Sequence, residues 1–455
     1  AEAGLHTVRV TGSAATLGGT TSPSALWTGT VTAVRSFGDV GFTSFSQAFR
    51  SVTANVAMPS VIPSTVSNTS FMFNACANFN QDIGSWDMSS VTNARGMFNA
   101  CGSFNQDIGS WDVSNVEDTA FLFQAATSFN QDITSWNVSS VNDMYGMLVS
   151  ANAFDQDISG WDFSGLDGSS DLNDFMLNAT GLSSTNYDAL LIAWSNAADA
   201  STIFSPLNPD MGNSEYASVE ALFARDNLIT NYGWTISDGG AETGSVADSL
   251  VLWLDAADTS TITESSGDVS QWDDKSGNGY DVVQATGANQ PTTGVTTQNS
   301  LNVIDFGGSP EFMLSGVVAL PSGDTSRTVF TVAKRTTGQY VFAYGAAVNN
   351  QTWAFDVSGD SGGSQRIVGY AYDWVTGQPA NTSWEIAVGW HDGTNARYQV
   401  NRGTLRGPNA RTYNTAATPL NIGRFTSNTG HFVGSIAEIL IYDSALSTSD
   451  REAVE

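Results

Sequence analysis

The sequence predicts a mainly β chain of two domains, a solenoid of 25-residue coils followed by an antiparallel β-sandwich. Three observations predict it. The phrase Phe79-Asn80-Gln81-Asp82-Ile83 returns from Phe104, from Phe129 and, as Phe-Asp-Gln-Asp-Ile, from Phe154, and each copy leads into a tryptophan, Trp86, Trp111, Trp136 or Trp161. A fixed period of this length marks a coil that cannot bury its own apolar face and must stack on its neighbours. Beyond residue 245 the period is lost, and short alternating runs separated by turn residues replace it. A chain of 455 residues also exceeds what one compact core organises.

Residues 1–28 match neither pattern and read as a β-rich cap or attachment segment. The solenoid is expected over 29–240. It opens with degenerate coils at Phe45-Ser-Gln-Ala-Phe49 and Phe71-Met72-Phe73. In the regular coils Ile83-x-x-Trp86-x-Met88-x-x-Val91 fits the L-x-x-L-x-L strand of a leucine-rich repeat. Copies follow from Ile108, Ile133 and Ile158, and Met97-Phe98, Leu122-Phe123 and Met147-Leu148 fall where a short helical turn would pack. Atypical end coils follow, with helical segments at Tyr187–Trp194 and over 218–228, as expected where a terminal face is capped. Residues 241–245 read as a linker. Over 246–455 the runs from Leu250, Val329, Tyr340, Trp384 and Ile436 predict a jelly-roll type of sandwich. The end, Asp450–Glu455, reads as a helix cut off in mid-turn and so as part of a longer chain. The start, Ala1-Glu2-Ala3-Gly4, fits either a removed signal peptide or a clipped initiator methionine.

Charge narrows the partners. With 45 acidic against 16 basic residues the formal net charge is −29, and the only lysines are Lys275 and Lys334. Repulsion from phosphates and anionic headgroups argues against nucleic acid and membrane-surface binding, while divalent cations and salty water are compatible. No apolar run reaches the roughly 18–20 residues that span a bilayer.

Two resemblances sharpen this. The phrases Phe104-Asn-Gln-Asp-Ile-Gly-Ser-Trp-Asp-Val-Ser, Leu182-Ser-Ser-Thr-Asn-Tyr-Asp-Ala-Leu-Leu-Ile and Asn227-Leu-Ile-Thr-Asn-Tyr-Gly-Trp-Thr-Ile resemble the BspA-like leucine-rich repeat family of bacterial surface proteins, the DUF285 repeat, over about residues 30–240. The phrases Val251-Leu-Trp-Leu-Asp-Ala-Ala-Asp258, Trp272-Asp-Asp-Lys-Ser-Gly-Asn-Gly279 and Gly434-Ser-Ile-Ala-Glu-Ile-Leu-Ile-Tyr-Asp443 resemble a concanavalin A-like, laminin-G-type jelly roll. The first implies surface adhesion or recognition. The second implies a lectin-like or protein-binding module, often stabilised by Ca²⁺.

Several residue groups are candidates for chemistry. Cys76 and Cys101 stand 25 residues apart, so they occupy one position in successive coils. At one strand spacing, roughly 5 Å, they suit either a disulfide or two small buried residues. In an alternating strand Asp87, Asp112, Asn137 and Asp162 form one outward column beside serines, either a ligand-facing stripe or a solvated face. Asp82, Asp107, Asp132 and Asp157 precede the strand and suit turn closure, and the Phe and Trp columns suit the core. The loop Asp273-Asp274-Lys275-Ser-Gly-Asn278-Gly offers oxygens for Ca²⁺, with Glu438 and Asp443 as further ligands, or else a hairpin with a salt-bridged lysine. Tyr370, Tyr372 and Trp374 follow a glycine-rich loop and suit either sugar stacking or sheet core. Three scattered histidines, and no paired-acid, Walker or nucleophile-elbow motif, argue against an enzyme.

The expectation is a non-enzymatic extracellular or cell-surface protein that binds glycans or surface proteins. The alternative is a virion surface protein, such as a bacteriophage decoration or tail-associated protein.

Overall fold

The computed structural model describes residues 33–38, 41–166, 168, 171–200, 206–348, 351–361, 364–369 and 373–455. The predicted cap over 1–28 lies outside them. The protein is mainly β, and its chain divides into two compact units, Ala1–Thr243 and Gly244–Glu455.

In the first unit the 25-residue period is a stacking period, but the stacked backbone is not where the leucine-rich pattern places it. Between Ile83 and Val91 the chain makes tight turns. The Trp86 amide donates to the Ile83 carbonyl at 3.0 Å and the Val91 amide to Met88 at 2.8 Å. Asp82 and Asp87 cause this, because their carboxylates accept the amides of Gly84 and Ser89, each at 3.0 Å. Such local side-chain bonds compete with a strand ladder. Ile83, Trp86, Met88 and Val91 are still buried, so the apolar pattern survives on turns.

Coils join through the segment expected to be a helical turn. The amides of Thr69, Phe71, Phe73 and Ala75 donate to the carbonyls of Asn93, Arg95, Met97 and Asn99 at 2.7–3.0 Å. The intervening amides of Met72, Asn74 and Cys76 close turns to residues three back, at 3.0–3.1 Å. Every main-chain amide from 71 to 76 is thereby used, alternately within its coil and towards the next. The pattern repeats from Ala94 and from Thr119. It requires left-handed backbone at two positions per coil: Phe71, Gly96, Phe121 and Gly146 at one, and Ala75, Ala100, Ala125 and Ser150 at the other.

The core is a double aromatic stack. Phe79, Phe104, Phe129 and Phe154 follow one another with ring centroids 5.9–6.1 Å apart. Phe73, Phe98 and Phe123 stack beside them, 3.9–4.0 Å from the first column. Each tryptophan donates its indole N–H to a carbonyl of the preceding coil. Trp86 reaches Pro59 at 2.8 Å, and Trp111, Trp136 and Trp161 reach Ile83, Ile108 and Ile133 at 3.1 Å. The ring supplies apolar area while its one polar atom is satisfied.

The fourth copy of the phrase carries Asp155 where the others carry asparagine, and the fold explains it. Asn80 and Asn105 accept the amide of the asparagine one coil on, whereas Asp155 faces helix α1, Ser184–Asp199. Its carboxylate accepts the Ser183 amide, the Ser183 hydroxyl and the Asn186 side chain, each at 2.8 Å. Burial pushes its pKa up, but these bonds outweigh that and hold it below the ordinary value. A second helix, α2 (Val219–Thr230), is capped by the Ser218 hydroxyl.

The second unit is an antiparallel strand system that folds round one core and is nearly closed. Phe432–Tyr442 pairs with Arg327–Gly338 on one side, and with Leu250–Asp255 and Leu301–Gly307 on the other. A second run carries Tyr340–Gly345, Thr352–Ser361, Ser364–Val368 and Trp374–Pro379. Leu252, Trp272, Phe342, Trp353 and Ile439 fill the space between them. A short helix, α3 (Thr448–Val454), starts at a capping box of Ser447 and Asp450.

Candidate functional site

The outward column of Asp87, Asp112, Asn137 and Asp162 is exposed, as the alternation predicts. Each residue also closes a turn. Asp87 accepts the amide and hydroxyl of Ser89 at 3.0 and 2.6 Å, Asp112 those of Ser114 at 3.1 and 2.6 Å, and Asn137 those of Ser139 at 3.2 and 2.8 Å. Asp162 accepts the Ser164 amide at 2.9 Å. The serine hydroxyl, then the serine amide, hold Asp87 and Asp112 below the usual carboxylate range. The column thus shares the turn-closing duty of Asp82, Asp107, Asp132 and Asp157.

A richer face lies on the ladder segment, around a residue that repeat analysis passes over. Between Arg50 and Arg225 the only arginine or lysine is Arg95. Its guanidinium lies 3.5 Å from Asp118, one coil on, and 3.0 Å from Asp143, two coils on. It also sits 4.9 Å from the centroid of the Phe121 ring. Asn93 donates its amide to Asp118 at 3.1 Å. Burial, then opposed by the Ala120 amide and Arg95, leaves Asp118 titrating above its ordinary value. The Tyr145 ring meets Phe121 edge-on at 5.1 Å, and its hydroxyl donates to Asp174 at 2.6 Å. Phe71, Phe121 and Tyr145 are half-buried, so each ring keeps accessible surface. The backbone fixes this register: Asn68, Asn93, Asp118 and Asp143 form the parallel bridges between coils, and the face follows two and three residues later. The sequence signal for it was the unrepeated cation and the alternation Phe71, Gly96, Phe121, Gly146 at one coil position.

The two cysteines are not joined. Each thiol is buried and donates to a carbonyl of the preceding coil, Cys76 to Phe49 and Cys101 to Phe73, both at 2.9 Å. Both thiols are free, and these carbonyl bonds take the place of the disulfide that the spacing allowed. Burial pushes Cys76 up to about 11 and raises Cys101 as well, with Cys76 itself contributing. Since the thiolate is the reactive form, a disulfide-exchange dye at pH 8 should label neither thiol until the protein is denatured, and then both. Rapid labelling of the native protein would contradict this burial.

Each residue expected to ligate Ca²⁺ has a hydrogen-bond partner within the protein. Asp274 accepts four bonds from its own loop and its neighbour: the amides of Trp253 and Ser276 at 2.9 Å, that of Tyr280 at 3.0 Å and the Ser276 hydroxyl at 2.8 Å. Asp273 accepts from Gln271, and Asn278 donates to the carbonyls of Leu250 and Val251. Glu438 accepts the Trp253 indole N–H at 2.8 Å, and the Asp443 amide binds the Ser249 carbonyl. Among the described residues no group of three or more acids, histidines or cysteines is arranged to hold a metal. The cation here is Lys275, whose ammonium lies 3.2 Å from both Asp255 and Asp258 and 4.3 Å from the centre of the Trp253 ring.

Of the three expected sugar-facing aromatics, Trp374 is buried in the core of the second unit. Its strand pairs with Ser364–Val368, which turns the indole inward. Tyr370 and Tyr372 lie outside the described residues. Among the described residues no helix is long and apolar enough to cross a membrane.

No curated protein matches the chain. Among solved structures, domain 4 of AbnA, an extracellular arabinanase of Geobacillus stearothermophilus in complex with arabinotriose, is 15% identical, with 45% of this chain and 98% of that one covered at a TM-score of 0.34. The Trypanosoma rangeli sialidase is 14% identical, with 47% of this chain and 33% of that one covered at a TM-score of 0.32. The match therefore spans about a third of the sialidase, and likeness at these scores assigns neither fold nor activity. Residues 43–174 are similar to the family described as "Mycoplasma protein of unknown function, DUF285", which places the family's repeat on the stacked coils.

Proposed function

We propose that the protein is a non-enzymatic recognition protein that acts outside the cell or at a cell surface, where it binds glycans or surface proteins. Its stacked coils are the presenting surface, as in a leucine-rich-repeat-like solenoid, and its second unit is a lectin-like jelly roll. The observation that supports this best is the face around Arg95, where a cation, carboxylates and half-buried aromatic rings are held in fixed register. A site fixed before binding loses little side-chain entropy when it is occupied. Proteins with long repetitive coils usually work through such extended surfaces.

The test is to probe the full chain against glycan and surface-protein arrays, and then to incubate any bound glycan with the protein. The expected result is saturable binding to at least one glycan or protein class and a glycan recovered at unchanged mass. Absence of binding across both arrays, or shortening of the glycan, would overturn the reading.

A further inference from the structure

We infer that the face formed by Phe71, Arg95, Phe121 and Tyr145 binds an uncharged polysaccharide chain lying along the stacking axis. This rests on the recognition role proposed above and names its site and ligand class.

The first observation is a residue choice that the coil's backbone does not require. Phe71 and Phe121 have φ of 54° and 57°, the left-handed region, where a bulky residue is an outlier. Gly96 and Gly146 occupy the same coil position at 57° and 58°. The stack therefore forms with glycine there, and two coils carry instead a strained phenylalanine whose ring reaches the surface. The coil geometry demands this backbone, as it does at Ala75 and Ala100, so what calls for a task is phenylalanine where glycine would suffice. The neighbouring glycines make room for it, because a Cβ on Gly96 would lie 2.4 Å from the Phe71 ring and one on Gly146 2.9 Å from the Phe121 ring.

Spacing is the second observation. The two rings are two coils apart, about 10 Å at the usual separation of paired backbones. A sugar unit in an extended chain advances by about one coil spacing, roughly 5 Å, so alternate units can meet alternate coils. Along the same face stand both donors and acceptors: Arg95, Asn93 and Asp118 between the rings, and Asp143 and the Tyr145–Asp174 pair in the coils beyond Phe121. Sugar hydroxyls donate and accept at once and need both kinds.

Charge and backbone accounting then exclude competitors. The net charge of −29 opposes polyanions, and Arg95 is already neutralised by two carboxylates. An extended peptide would need free main-chain groups to add as a strand. On this face those groups are spent, since the Phe71, Gly96 and Phe121 amides bond to Arg95, Ala120 and Tyr145 of the next coils.

The experiment is affinity electrophoresis of the full chain in gels containing xylan, galactomannan or β-glucan, with polygalacturonate and chondroitin sulfate as polyanions. The expected result is retardation by at least one neutral polymer and by neither polyanion. Phe71→Gly and Phe121→Gly should each weaken binding about three- to tenfold, as for loss of one aromatic contact, at an unchanged melting temperature. Phe121→Leu, which keeps apolar bulk over Gly146 but loses the flat ring, should weaken binding similarly and covers the case in which the glycine variant unfolds. Unchanged retardation of the doubly substituted Phe71→Gly/Phe121→Gly chain would overturn the site and leave the recognition role standing. Failure of every neutral polymer to retard the parent chain, with a surface protein bound instead, would overturn the ligand class.

Discussion

Replacing Phe104 by alanine should cost the coiled unit about 3–5 kcal/mol, among the largest effects of any single truncation in this chain. Phe104 is fully buried and touches three rings: Phe79 and Phe129 at 5.9 Å above and below, and Phe98 at 4.0 Å beside it. Truncation removes its transfer free energy and leaves a hole that the stack cannot close. The flanking backbones are pinned by hydrogen bonds from coil to coil, such as Gly96 to Ala120 at 2.8 Å. Stability in a stacked array is a sum over coils and their interfaces, so a void at one interface lowers cooperation along the whole array. Hydrogen exchange of the full chain should show amides 94–100 and 119–125 losing protection together while the second unit is unaffected. A loss below about 1 kcal/mol would mean that the aromatic columns do not carry the stack.

The second large effect is expected at Lys275. Its ammonium and the Asp258 carboxylate keep only 7% exposure each, and Asp255 keeps 19%. Removing one partner of a buried pair leaves an uncompensated charge, at about 3–5 kcal/mol. Lys275→Met keeps most of the packing on Trp253 and isolates the charge term. The pH dependence gives an independent check. Burial alone raises the pKa of Asp258, but the Ser260 hydroxyl and Lys275 outweigh it, and the net shift is downward. A carboxylate with a depressed folded pKa contributes stability above its unfolded value, and that contribution is lost as pH falls through the folded one. The parent protein should therefore lose stability below about pH 4. In Lys275→Met the orphaned carboxylates are relieved when protonated, so its deficit should be greatest near neutral pH and shrink in acid. A deficit constant from pH 3 to 7 in urea titrations would refute the pairing.

Much of this was legible because repetition amplifies a signal. Phe79, Ile83 and Trp86 recur in register and are buried in every regular coil, since an apolar side chain on a stacked coil has only one dry place to go. The runs that predicted strands in the second half lie within strands, for example Trp384–His391 and Phe432–Tyr442. The secondary structure of the coil was not legible. The spacing of Ile83, Trp86, Met88 and Val91 fits a strand, but the same spacing is met by consecutive tight turns once Asp82 and Asp87 take the local amides. The Arg95 face escaped notice for a related reason: it is built from departures from the repeat, and periodicity averages departures away.

The sequence by itself determined the period, the buried columns and the change of pattern near residue 245, because these depend on apolar residues and their spacing along the chain. The tertiary structure alone decided where polar groups find partners. It set Arg95 against Asp118 and Asp143 across two coils, and gave each thiol of Cys76 and Cys101 a carbonyl partner one coil back. It also brought Lys275 to Asp255, 20 residues back, in the salt-bridged arrangement that the sequence offered beside the Ca²⁺ reading. Burial follows local pattern, whereas charges and hydrogen bonds are satisfied by whatever the fold brings within about 3 Å.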